Sequence, residues 1–166
     1  MAFVITSQQI GMQGIAETST TQNHPLGTEV EAYDSSYGAG VFVYLKGVAS
    51  TLVGSAVVIS MDDGTTALLD TDLTPFGPVG FAMSINVANQ YGWYQRVGKA
   101  VGDVAAAFAD NADVYATATA GVVDDAVVDG YMIHNCFGAS AIDTPSTGLA
   151  ELEIDRPYVD GITTND

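Results

Sequence analysis

The sequence predicts an all-β protein: a small β-sandwich or β-barrel of short strands carrying an extended N-terminal arm. Three observations predict it. β-Branched and aromatic runs recur from Gly38 onward, nearly every run is closed by Gly, Asp or Pro, and a single Ala-rich stretch competes as a helix. The chain divides accordingly into an arm over 1–30, a β-domain over 31–159 and a flexible tail over 160–166.

The elements follow in order. Between Thr6 and Thr28 the chain is mostly Gln, Thr, Ser and Gly, with Ile10, Met12, Ile15 and Leu26 as spaced apolar residues. So polar and aperiodic a segment is expected to lie extended, either frayed or ordered on a neighbouring subunit with those residues as anchors. Val41–Leu45 is the first strong strand, closed by Lys46-Gly47. Ala56–Ser60 follows and runs into Met61-Asp62-Asp63-Gly64, whose Asp-Gly pair signals a tight turn. Further strands are expected at Val79–Ile85, at Tyr91–Val101 with the single Trp93, at Val114–Thr119, at Tyr131–Phe137 and at Leu149–Ile154. The last of these should stop at Arg156-Pro157. Val101–Ala112 is rich enough in Ala to form a helix, but Gly98 and Gly102 interrupt it and favour strand and loop. The segments Ala56–Gly64 and Asp113–Gly121 share a spacing from strand to turn glycine, a rhythm that any small β-protein can show.

Charge excludes whole classes of partner. Four cations, Lys46, Arg96, Lys99 and Arg156, stand against twenty Asp and Glu, for a formal net charge of −16. Affinity for nucleic acid comes largely from Lys and Arg neutralising phosphates, so no nucleic-acid partner is expected, and an anionic membrane is disfavoured for the same reason. High acidity combined with low hydrophobicity would mean disorder, but this chain is 48% hydrophobic and 14% charged. It should fold around one core and stay soluble through self-repulsion. Its apolar runs are too short to span a bilayer, and Met1–Gln9 lacks the basic and apolar stretches of a secretory signal.

No enzyme, metal site or cofactor is expected. Cys136 is the only cysteine, which excludes an internal disulfide and suggests synthesis in a reducing cytoplasm. His134 stands two residues away, on the same face if the strand is regular, but at roughly 7 Å the pair is too far apart for a hydrogen bond. His24 precedes Pro25 in the polar arm, where little would fix its tautomer. Asp70-x-Asp72 opens like a calcium loop but meets Pro75 where the turn needs Gly. The glycines match no phosphate-binding or nucleophile motif. Tyr91, Trp93, Tyr94 and Arg96 are residue types enriched at interface hot spots and suit a core or a subunit interface better than a ligand cage.

One resemblance bears on function. His24-Pro25-Leu26-Gly27-Thr28, Ala32-Tyr33-Asp34, Tyr37-Gly38 and Val43 to Ala49 resemble the front of small proteins encoded beside the major capsid protein of tailed bacteriophages. Gly80-Phe81-Ala82, Gly92-Trp93-Tyr94-Gln95, Val114-Tyr115 through Gly121, Gly130 and Arg156-Pro157-Tyr158 continue the likeness, which covers roughly Leu26 to Val159. The resemblance, to capsid decoration or cement proteins, implies a homotrimeric β-module on the outer surface of the virion. Its partner would be the major capsid protein, and the module would reinforce contacts between the subunits of that shell. Ile10, Met12, Ile15, Leu26, Tyr91, Trp93, Tyr94 and Arg96 are the candidate subunit or capsid contacts. The alternatives are another virion β-module (tail tube, connector or spike component) and a barrel-type ligand-binder or enzyme.

Overall fold

The structure, a computed structural model, describes residues 4–6, 11–72 and 76–161. It is all-β. The described residues form eleven strands: β1 (Val4–Ile5), β2 (Glu29–Asp34), β3 (Gly38–Lys46), β4 (Ala56–Ile59), β5 (Thr66–Leu68), β6 (Gly77–Ala82), β7 (Tyr91–Asp103), β8 (Asp113–Ala116), β9 (Val123–Asp124), β10 (Met132–Gly138) and β11 (Leu149–Val159). All strand pairings are antiparallel and join the strands into one sheet, with β1 and β9 at the two ends of its main path.

The alternation of side chains explains how one sheet encloses three apolar clusters. On β3, Phe42 and Tyr44 face one way and join Ile15, Val30, Ala32, Met83 and Trp93. Val43 and Leu45 face the other way and meet Val57, Ile59, Ala82 and Tyr94. The third and largest cluster takes the opposite faces of β4 and β6, through Ala56, Val58, Val79 and Phe81, and packs them on β8, β10 and β11. β4 is therefore buried on both faces, which is why its sequence, Ala-Val-Val-Ile, is continuously apolar.

β7 organises the whole. Its first half pairs with β3 on one edge, from Lys46↔Tyr91 to Val41↔Val97, and with β6 on the other. Its second half pairs with β11, from Asp155↔Val97 to Leu149↔Asp103. Between the halves lies a bulge: Phe42 opposes Gln95 and Val41 opposes Val97, so Arg96 is the extra residue. The buried Gln95 amide donates to the carbonyls of Val97 and Lys99, both at 3.1 Å, and so braces the bend. Gly98 between them has φ of +100°, and a Cβ there would collide with the Ala39 carbonyl oxygen.

The rhythm noted in the sequence corresponds to a repeated strand plan. β4 pairs with β5 and β6, and β6 with β7; β8 pairs with β9 and β10, and β10 with β11. Parallel bridges at equivalent points, Lys46↔Thr65 and Val104↔Val123, draw the strand before each unit towards its hairpin.

Several expectations need correction. β11 does not stop at Arg156-Pro157 but continues to Val159. Arg156 adopts φ of +49° in a second bulge, where β11 leaves β7 for the start of β6 (Tyr158↔Pro78), and Pro157 falls where the ladder is already broken. β2 straddles the expected domain boundary, because its alternation of Glu and apolar residues hid a half-buried strand inside a polar region. β1, β5 and β9 were too short to register. Met83, Ser84, Ile85 and Thr117–Thr119 lie outside strands, whereas Val101–Ala112 is strand followed by turns, as expected. The Asp-Gly turn is real but wider than a two-residue loop: Ser60 and Thr65 close it (2.9 Å) around Met61–Gly64.

Gly98→Ala is expected to cost about 1–3 kcal/mol through strain and collision at the bend, read as a lower denaturant midpoint at unchanged slope. Glu29 on β2 is gripped by both terminal nitrogens of Arg156, at 2.8 and 3.0 Å, and that bond, foremost, holds its carboxyl below the ordinary value of 4.5. The pair's stabilisation is present above the ordinary value and lost as pH falls through the lower folded value. Glu29→Gln should therefore cost about 1 kcal/mol or less at pH 7, since both partners are solvated. In urea titrations the difference from the parent should vanish in acid.

Candidate interaction surface

The candidate contact residues separate into groups. Trp93 and Tyr94 are wholly buried and Ile15 nearly so. Three of the eight therefore serve the interior of this chain and have no surface to offer a partner. Met12, Leu26 and Tyr91 are half-buried against the Trp93 cluster. Arg96 lines a cleft on the other face of the sheet. Ile10 lies outside the described residues, as do 162–166 of the expected tail.

The arm is not extended over 11–28: it is strapped onto its own sheet. Trp93 on β7 donates its indole N–H to the Gln13 carbonyl at 3.0 Å. The Gln13 side chain accepts from the Tyr44 hydroxyl (3.1 Å) and the Asn23 amide (2.9 Å) and donates to the Glu17 carbonyl (2.7 Å). Ser19 and Tyr91 exchange backbone bonds at 3.0 and 2.8 Å. His24 accepts the Gln13 N–H through Nε2 (3.1 Å), which places the imidazole proton on Nδ1, and its ring stands edge-on to Tyr44 at 4.9 Å. The tautomer is thus fixed, contrary to expectation. Polar residues dominate this segment because they satisfy the backbone of a strap without regular structure, and Ile15 supplies its apolar anchor.

His134 and Cys136 do not share a face. Asn135 between them has φ of +58° beside the β10–β11 bulge, which turns Cys136 into the core and leaves His134 half exposed, stacked on Tyr158 and 3.3 Å from Asp160. Burial pushes the Cys136 thiol far above its ordinary value, so it has no thiolate character. Among the described residues no cluster of three or more His, Cys, Asp and Glu is placed to hold a metal. Asp70 accepts the Asp72 N–H at 2.9 Å, a turn contact.

The outstanding surface feature escaped sequence reasoning. In Ile85-Asn86-Val87, between β6 and β7, the polar residue points inward and the apolar ones outward. Asn86 is 1% exposed, whereas Ile85 and Val87 are 58% and 53% exposed. The cause is a clamp. Asn86 bridges antiparallel to Thr51 in the β3–β4 connection, with its N–H on the Thr51 carbonyl at 3.2 Å, and its side-chain amide donates to the Tyr94 hydroxyl at 3.1 Å. Gly47 lets it in, since a Cβ there would lie 2.6 Å from that of Asn86. With Asn86 committed inward, alternation turns both neighbours to solvent, and the bridge sets Leu52, 51% exposed, beside them. The inversion was concealed because Ile85 read as the end of a strand. Its signal in the sequence is one polar residue between two β-branched ones, beside a turn. An apolar row held on buried hydrogen bonds is the kind of surface that marks a protein contact.

Comparison with protein-family models, with curated proteins and with solved structures finds no match to this chain.

Trp93→Ala should cost about 3–5 kcal/mol and free the strap, seen as faster amide exchange at Gln13 and Ser19. Ile85→Asp and Val87→Asp, by contrast, should each leave stability within about 0.5 kcal/mol of the parent, because both side chains are more than half exposed.

Proposed function

We propose that this chain is a structural virion protein that binds the outside of a tailed-bacteriophage capsid and secures contacts between major capsid protein subunits. The observation that carries the reading is the row Leu52, Ile85 and Val87, apolar, exposed and fixed in place by the buried Asn86. Such a row gains by being covered, and each partly exposed Val, Ile or Leu contributes up to about 1.5–3 kcal/mol when fully buried. The segment-by-segment resemblance from Leu26 to Val159 supplies the kind of partner.

Charge supports the same reading. A net charge of −16 keeps unattached copies apart and away from nucleic acid, so the apolar row finds a protein surface rather than another copy's acidic flank. Modest contacts suffice where symmetry repeats them and a trimer engages several at once.

The test is co-sedimentation with empty shells assembled from the major capsid protein of the phage that carries this gene, with solution mass from light scattering. The parent should decorate shells, and Ile85→Asp with Val87→Asp should weaken attachment at least about tenfold while leaving the melting point unchanged. A parent chain that ignores shells, or a double variant that decorates them equally well, overturns the proposal; attachment to tail tubes instead would favour the other virion role.

A further inference from the structure

The sheet face opposite the strap carries a cleft of about 240 Å³ with a cation at its wall. Its apolar lining comes from Leu26, Val43, Leu45, Ile59 and Met61, and among the described residues Arg96 is its one cationic lining residue. Arg96 is the extra residue of the β7 bulge, and it lines the cleft together with Val43 and Leu45 of the Tyr94 cluster. It is only 8% exposed, and its Nε has no hydrogen-bond partner among the described residues.

A buried guanidinium with an unmet donor is costly unless something compensates it. Glu29 attracts it through space without a hydrogen bond to it, while the second guanidinium, Arg156, repels it. Glu29 also lines the cleft, but both of its carboxylate oxygens are taken by the two terminal nitrogens of Arg156. Asp62 and Asp63 line it too, and Asp63 is occupied by its own turn, accepting from the Thr65 N–H and hydroxyl at 3.1 and 2.8 Å. The fold therefore holds Arg96 in a recess of mixed apolar and acidic lining and leaves its Nε without a hydrogen-bond partner among the described residues.

We propose that this cleft binds a monocarboxylate with a short apolar chain, its carboxylate on Arg96 and its chain against Val43, Leu45 and Ile59. A planar two-oxygen head matches the guanidinium fork. Apolar walls favour a hydrocarbon body over a sugar or nucleotide. The three neighbouring carboxylates disfavour a doubly charged head such as a phosphate monoester. Two sources offer this chemistry, a free short-chain acid and the C-terminus of a polypeptide ending in an apolar residue. The proposal is independent of the capsid reading, since the apolar row is formed by other loops.

The probes are hexanoate, its uncharged analogue hexanamide, and a short peptide ending in Val-Leu with free or amidated C-terminus, each titrated calorimetrically into the full chain. Hexanoate, the free-acid peptide or both should bind at least about tenfold more tightly than the uncharged counterpart, the worth of one charge-assisted hydrogen bond. Which of them binds identifies the source. Arg96→Met should abolish that preference while the melting point stays level or rises, because an incompletely matched buried charge is removed. Leu26→Trp, which fills the cleft and keeps Arg96, should abolish binding as well and serves if the Arg96 variant misfolds. Equal affinity for charged and uncharged probes, no binding by either acid, or undiminished binding in both variants overturns the proposal.

Discussion

The fold hangs on a bend in one strand. β7 must serve β3 and β6 with its first half and β11 with its second, and no straight strand of thirteen residues can face all three. The Arg96 bulge and Gly98 supply the change of direction, and the buried Gln95 amide, bonded to the carbonyls on either side of Gly98, fixes it. The nitrogen of this core amide is satisfied by backbone acceptors at the bend, while its Oε1 has no partner among the described residues. The same strand also sets the functional geometry. Regular alternation before the bend puts Trp93 under the strap and Tyr94 in the second cluster, and the bulge residue Arg96 lines the cleft.

The same constraint links the surface row to the interior. Asn86 donates to the hydroxyl of Tyr94, so the loop that displays Ile85 and Val87 is moored to the strand that bends. Burial raises the Tyr94 hydroxyl above its ordinary value, keeping it a neutral partner for that amide. The apolar row is thus presented by a scaffold rather than by a loose loop, and it needs little ordering on contact.

Much of the fold was legible in the sequence because strands of four or more apolar-rich residues announce themselves. The cores of β3, β4, β7, β8, β10 and β11 coincide with runs such as Val41–Leu45 and Tyr131–Phe137. What escaped was whatever depends on partners distant in sequence. β2 reads as polar because every second residue faces solvent. β5 and β9 exist only because β4 and β8 offer them an edge. Arg156-Pro157 looked like a terminator, yet a bulge made both residues admissible. Of the site, Arg96 was singled out for its residue type, but the neighbours it meets there, Glu29 and the Arg156 that grips it, are 127 positions apart in sequence. Ile85 and Val87 were invisible as surface because nothing local says that Asn86 will be drawn inside.

The shared strand has a mechanical consequence. The loop that carries Ile85 and Val87 runs directly into β7, and β7 is laddered lengthwise to β3 on one side and to β11 on the other. A tug on that loop along the strand axis would load those hydrogen bonds in parallel, so that many must yield together, instead of peeling them one at a time. The apolar loop is thus joined to the rest of the molecule along the direction in which β7 resists most.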